Sequence, residues 1–447
     1  MADILHITRR EAGLPAVLGP TQMAGVAFGT VISYGLISGG VLPLALAGPA
    51  AVLGYVAAAC MVLLLMHCLV DMTAAHPVPS AFGAYAEAYL GQRTGVAVRV
   101  AYLMAVVCIV GTEVTLLEPL FGFWLAPLPG WGVVVLLLTG LGAINGLGGR
   151  TSARFGLVLV VLKVGALVAL VVLACYQALI AGDMAVLAGE SAWGEIWANT
   201  PLSSLWQVSV VATLGFIGIE TMSVAAGEAS LSASALRRHM RWATGGLLVL
   251  TLCAVAASAW FQMHYSVPFN VPPFVYLMGL TGWPAVGTVF NVLMLLTVVS
   301  VLNSQIYAGS RQLFGLIRAG RASAAPVLPG QQGIRGSAAC TTLLSILIYL
   351  AYGFFPTQVY VLATSIALTA LLAVWGAIFI AHIGFRRQAG GRSWQGVAGG
   401  LLVLAIAVST LEIDVFDMAL LIGIPFILLV FLAEWLYGRF FVKLKCK

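Results

Sequence analysis

Twelve apolar stretches, each about as long as a bilayer is thick, follow one another along the 447-residue chain and leave room for little else. They lie at roughly 22–46, 50–74, 100–125, 131–148, 155–181, 204–226, 242–262, 284–309, 337–355, 358–383, 395–411 and 414–437, and are numbered as segments 1 to 12 below. About twenty apolar residues suffice for a helix to cross the hydrocarbon core. Lipid offers no partner to a bare backbone N–H or C=O, so such runs fold as helices. With 61% hydrophobic residues, 8% charged residues and a mean hydropathy of +1.05, the chain lies outside the range of soluble domains. The expectation is an all-α integral membrane protein of twelve helices.

The basic residues test that count. If the N-terminus is cytoplasmic, one side holds Arg9 and Arg10, Arg93 and Arg99, Arg150 and Arg154, Arg237, Arg238 and Arg241, Arg311, Arg318, Arg321 and Arg335, Arg386, Arg387 and Arg392, and Arg439, Lys443, Lys445 and Lys447. That is 20 of the 21 Lys and Arg. The opposite loops hold none, and two carry acids instead: Asp183, Glu190 and Glu195, then Glu412, Asp414 and Asp417. The positive-inside rule therefore gives twelve spans with both termini cytoplasmic. The net charge of +6 is a topology signal and points to no nucleic-acid partner. Residues 1–21 contain no apolar core of signal-peptide length, so segment 1 is expected to act as an uncleaved anchor in a cytoplasmic (inner) membrane.

Segment 1 is interrupted by Gly29-Thr30-Val31-Ile32-Ser33-Tyr34-Gly35-Leu36-Ile37-Ser38-Gly39-Gly40. Small and hydroxylated residues at mid-membrane predict a broken helix, whose freed amides and carbonyls hold a charged solute; close helix packing through small residues is the alternative. Segment 6 has a similar break at Gly215-Phe216-Ile217-Gly218-Ile219. Two interrupted helices five segments apart fit an inverted repeat of helices 1–5 (22–181) and helices 6–10 (204–385). Helices 11–12 (395–437) are then appended, between tails at 1–21 and 438–447.

Lys163 is the one basic residue inside a segment, with about seven apolar residues on either side. An ammonium at that depth must face the bundle, find a partner or lose its proton, snorkelling being at the limit of reach. Glu113 and Glu220 are intramembrane acids and candidates for proton transfer, with a helix-to-helix hydrogen bond as the plainer reading of Glu113. Glu118, before Pro119, reads as an interfacial carboxylate. His67 and Asp71 share one helix face and read as a local hydrogen bond, since a metal site needs a further ligand. The seven cysteines lie singly and read as buried small hydrophobes. There is no phosphate-cradling loop and no clustered catalytic set, so no enzyme, metal or cofactor is expected. Residues 77–80 read as a turn before a short helix to Leu90, and 310–336 as a flexible connector.

Taken together, these stretches resemble the amino acid, polyamine and organocation superfamily, and within it the bacterial amino acid transporter family. Ser33-Tyr34-Gly35 stands where that family has its first-helix loop, and Ala47 to Tyr55 and Pro77 to Gly91 follow its second-helix pattern. Gly111-Thr112-Glu113, Leu162-Lys163-Val164, Phe216 to Glu220 with Ala226-Gly227-Glu228, and Ser300 to Arg311 are similar to its third-, fifth-, sixth- and eighth-helix motifs.

The resemblance implies a leucine-transporter-type fold of five-plus-five repeats and proton-coupled amino acid uptake by alternating access, driven by the proton gradient without a cofactor. It implies that the backbone of Ser33, Tyr34 and Gly35 receives the substrate carboxylate and the carbonyls around Phe216, Ile217 and Gly218 its amino group. Lys163 resembles the lysine that replaces a sodium ion in proton-coupled relatives, with Ser300, Asn303 and Ser304 expected near it; Glu220 resembles a gating or proton-sensing glutamate. Where the family has Gly and Thr, this chain has Ser33 and Tyr34, which leaves the substrate open. An exchanger or an amine importer is the alternative of the same fold, and a membrane enzyme or sensor a remote one.

Overall fold

The computed structural model describes residues 4–37, 40–125, 129–180, 200–265, 284–319 and 330–445, with single positions at 274, 276, 279 and 282. Ser38, Gly39, the acids Asp183, Glu190 and Glu195, Arg321, Cys446 and Lys447 lie outside the described residues, as do the side chains of Tyr34, Arg439, Lys443 and Lys445. What is described is nearly all helical; its one β-bridge joins Leu18 and Ala229.

Among the described residues nine helices are long and apolar enough to cross a membrane, and Gly130–Gly146 and Leu202–Gly215 are shorter apolar helices. Segments 3 and 10 are central: 67% of each apolar window is buried, against 28% and 17% for segments 11 and 12. Segment 3 (Gln92–Glu113, a 3-10 turn, Leu117–Leu125) packs along segment 8 (Val286–Arg318) and segment 10 (Pro356–Gln388). Segment 2 (Ala51–Ala75) supports Leu202–Gly215 of segment 6 and segment 7 (Ala233–Tyr265). Segment 5 (Gly149–Ile180) lies against the first half of segment 1, and segments 11 (Trp394–Ser409) and 12 (Met418–Lys445) lean on segment 10. Several helices outrun their apolar stretches, because basic, polar turns continue a helix once it has left the lipid.

Both predicted breaks are present. Segment 1 runs as Pro20–Val31, stops at Ile32-Ser33, makes one turn at Tyr34–Ile37 and resumes at Val41–Ala47 after left-handed Gly40. Segment 6 runs as Leu202–Gly215 and resumes at Thr221–Ala226. The turn after segment 2 and the helix Phe82–Leu90 follow the sequence reading.

Two readings need correction. Residues 310–318 continue segment 8 as a helix that is buried as far as Gly315, and a further helix starts at Gly330; the rest of the expected connector, 320–329, lies outside the described residues. Of the cysteines, Cys68 and Cys108 are buried, but Cys60, Cys175, Cys253 and Cys340 are exposed. An apolar helix face turned towards lipid carries a thiol as readily as a core does.

Candidate functional site

The end of a helix leaves carbonyls without partners, and at the end of Pro20–Val31 they lie buried inside the bundle. The Phe28 carbonyl accepts from the Ile32 amide at 3.2 Å and the Val31 carbonyl from the Ser33 amide at 2.8 Å. The ammonium of Lys163, fully buried, donates to the carbonyls of Gly29 and Ile32, both at 2.7 Å. A cation belongs at this negative end of the helix dipole. Segment 8 closes the other side: Gly29 is packed so tightly on Ser304 that a Cβ would meet its hydroxyl. Ser300 lies on the same face, its hydroxyl buried without a partner. Asn303 does not join them. It accepts from Asn145 Nδ2 at 3.1 Å and donates to the Ser152 carbonyl at 3.4 Å, tying segment 8 to segments 4 and 5. Three residues along a helix is nearly a full turn, but the offset suffices to aim Asn303 at a different neighbour from Ser300.

The break in segment 6 is a run of tight turns. The amides of Phe216, Ile217, Ile219 and Thr221 each bond to the carbonyl three residues back. Gly218 sits at φ +106°, and a Cβ there would strike the Thr30 side chain, so the two breaks meet with no space to spare. The Phe216 carbonyl accepts from Ile219, and the Gly218 carbonyl accepts from Thr221 through its amide at 3.1 Å and its hydroxyl at 2.6 Å. The carbonyls of Gly215 and Ile217 accept none of these bonds, and both residues line the cavity. Of the three carbonyls expected to hold an amino group, the turns thus occupy two.

Glu220 fixes this loop to the bundle. Its carboxylate, fully buried, accepts from the Gly218 amide at 2.9 Å, the Tyr102 hydroxyl at 3.1 Å and the Trp375 indole at 3.3 Å. Three donors suit an ionised carboxylate. Tyr102 and Trp375 were not singled out in the sequence; the available signal was a polar-tipped aromatic inside an apolar helix, which seeks a partner when buried.

A cavity of about 420 Å³ lies against both breaks, bordered by Thr30, Ser33, Gly215 and Ile217 and extending to Glu113, Gln305, Tyr360 and Phe416. Glu113 Oε2 is buried without a hydrogen-bond partner and lies within the electrostatic reach of Lys163. A second cavity, of about 470 Å³, adjoins Ser33 and Gly35 on the side of Tyr55 and Phe216. Glu118, exposed at the far end of segment 3, accepts from Tyr349.

The opposite end is closed by charge. Glu11, fully buried, meets Arg99 at 2.6 Å and Ser80 at 2.5 Å; Glu87 pairs with Arg10 at 2.8 Å and Arg99 at 2.9 Å. Burial works against these charges, yet Arg10 and Arg99 hold the Glu87 carboxyl below its ordinary value, and Glu87 raises Arg10 above its own. Glu228 bonds to Arg311 at 2.7 Å and Tyr307 at 2.9 Å, while its carbonyl takes the amides of Val17 and Leu18, each at 2.9 Å. Arginines that the sequence offered only as topology markers are therefore buried in ion pairs. His67 stands 3.6 Å from Asp71, beyond hydrogen-bond length, and His382 of segment 10 approaches the same oxygen at 3.7 Å.

The family model for amino acid permeases matches residues 23–444. The aromatic amino acid transport protein AroP of Escherichia coli K12 is 26% identical over 369 residues, 81% of this chain and 80% of that protein. A probable amino-acid permease of Schizosaccharomyces pombe is 28% identical over 393 residues, 83% of this chain and 67% of that one. Among solved structures, a Na+-coupled sialic acid symporter superposes with a TM-score of 0.59 at 14% identity, covering 90% of this chain and 93% of that one. MhsT in complex with L-phenylalanine gives 0.56 at 15% identity, covering 94% and 100%. At such identities the likeness concerns the fold alone, which is of the leucine-transporter type. The curated relatives are transporters, not enzymes, and the chain is a multi-pass membrane protein that belongs to the amino acid permease family, within the amino acid, polyamine and organocation superfamily.

Proposed function

We propose that this permease imports amino acids across the bacterial inner membrane by proton-coupled alternating access, with the proton gradient as its energy source and no cofactor. The observation that carries the reading is the Lys163 ammonium on the carbonyls of Gly29 and Ile32, at the end of a broken helix. Protonated, Lys163 draws the first half of segment 1 onto segment 5. Without its proton it cannot serve both carbonyls as a charged donor, and the half-helix is released. Glu113 faces the same cavity and takes part in the proton's path. Glu220 holds the segment 6 loop in register. The substrate carboxylate meets the backbone at Ser33 to Gly35, and its amino group meets the carbonyls of Gly215 and Ile217.

In this reading the chain crosses the membrane twelve times with both termini cytoplasmic, segments 1–5 and 6–10 form the inverted repeats, and Lys163 stands in for a metal ion. The ion-paired end of the bundle is then the closed cytoplasmic gate, and the cavity faces outward. A chamber of about 420 Å³ with walls such as Ile109, Leu116 and Leu368 suits a large side chain. The matching relatives named for aromatic amino acid transport support the same class. Proteoliposomes with an imposed pH gradient should accumulate labelled amino acid. No uptake with or without internal substrate sinks the reading; uptake only with internal substrate makes the protein an exchanger.

A further inference from the structure

Segment 8 turns two residues, Val301 and Gln305, towards the cavity, four apart and thus on one helix face. Gln305 is 3% exposed, and its Oε1 is buried without a hydrogen-bond partner. Its neighbours on the helix are placed otherwise: Ser304 packs on Gly29, and Asn303 bonds to Asn145 and Ser152. A buried amide oxygen with nothing to accept from is costly, and polar groups left this way mark a place where a partner is missing.

The walls around it restrict what that partner is. Ile109, Leu116, Ile217, Leu368 and Leu371 give the chamber a mainly apolar wall, which the hydroxyls of Thr112, Thr115, Thr364 and Ser365 interrupt, so the occupant presents mostly apolar surface with a polar point. Glu113, also without a partner on one oxygen, is the carboxyl group that lines the chamber. An ammonium side chain would be drawn to Glu113, and a guanidinium would set its charge against the apolar walls. A short polar side chain would reach an amide but leave the apolar walls unfilled. An aromatic ring with one hydrogen-bonding atom at its rim answers both.

We propose that Gln305 is a specificity-determining residue, and that the substrate is a polar-tipped aromatic amino acid. Tryptophan, through its indole N–H, and tyrosine, through its phenol O–H, are taken in preference to phenylalanine and leucine. The inference rests on the reading of the chain as an amino acid importer with its substrate anchored at the two helix breaks. A site that hydrogen-bonds a substrate group discriminates against the analogue lacking it, because the protein's own polar group is then buried unpaired. One neutral hydrogen bond corresponds to a preference of about tenfold.

The experiment is uptake of labelled tyrosine into proteoliposomes, with unlabelled tryptophan, tyrosine, phenylalanine, leucine, glutamine and arginine as competitors. Thermal shifts of the purified protein with the same six compounds give a readout of binding that does not depend on coupling. Tryptophan and tyrosine are expected to compete at about tenfold lower concentration than phenylalanine. Gln305→Met and Gln305→Leu should bring the tyrosine-to-phenylalanine ratio close to one, in transport and in thermal shift alike. Phenylalanine or leucine matching tyrosine in the unaltered protein would overturn the proposal, even if both variants failed to fold. Strongest competition by arginine or glutamine, or an unchanged ratio in both variants, would do the same. Transport of other amino acids but not tyrosine defeats this inference and leaves the importer standing; no transport of any amino acid defeats both.

Discussion

Lys163 was legible from sequence because a lone cation in an apolar helix cannot be ignored by the lipid. Its partners were not, since Gly29 and Ile32 lie 134 and 131 residues away and offer only backbone carbonyls. The same holds for Glu220, whose donors Tyr102 and Trp375 are 118 and 155 residues distant. Sequence reading finds the costly group, and only the fold shows what offsets the cost. Asn303 bonds to Asn145 and Ser152, partners 158 and 151 residues away that its position on the helix did not reveal. Lys163→Ala should abolish proton-driven accumulation while folded protein remains in the membrane, as judged by size-exclusion profile; full accumulation would remove Lys163 from the mechanism. At Gly218, left-handed backbone and the Thr30 side chain both exclude a Cβ. Gly218→Ala is therefore expected to lower the melting temperature and the uptake rate together, and an unaltered variant would mean that the breaks are not in tight contact.

At the scale of elements, the glycine and hydroxyl runs in segments 1 and 6 foretold the interruptions, since a helix with such a centre has little to gain from continuing. What the sequence could not reveal was the pairing of the arginines at the closed end, because the positive-inside rule counts charges without seeing the acids they meet. Arg311 and Glu228 are both buried, so Arg311→Ala strands a carboxylate and should destabilise the protein by about 3–5 kcal/mol. Thermal unfolding in detergent measures this, and a shift near zero would show that the pair is open to water. For Glu87 the sign is set by a carboxyl held below its ordinary 4.5: the stabilisation is complete above that value and is lost as the pH falls through the lower, folded-state value. The short helix Phe82–Leu90 should stay anchored at neutral pH and loosen only in acid, and Glu87→Gln should flatten that dependence in a pH series of melting temperatures.

At the scale of the whole molecule, bilayer-length segments made the all-helical membrane architecture readable, because lipid admits so few alternatives. The cavity was not readable: which residue of a helix faces it depends on the rotation of that helix, and an almost uniformly apolar sequence leaves the rotation open. One end of the bundle is locked by ion pairs and the other holds the cavities, so an impermeant thiol reagent added from outside should label Val415→Cys and spare Arg238→Cys, both positions being exposed. The reverse pattern would invert the orientation.

The strand-like contact between residues 17–18 and 228–230 has a mechanical consequence. It staples the entry of one interrupted helix to the exit of the other, and Thr30 against Gly218 joins them again further along. A linkage pinned at two points has lost its freedom to hinge piecemeal, so under the proposed alternating access the pair is expected to swing as a single crank. Leu18→Pro, which deletes one of the stapling amides, should let the halves slip out of step, so that under the proposed mechanism uptake in proteoliposomes falls relative to proton entry.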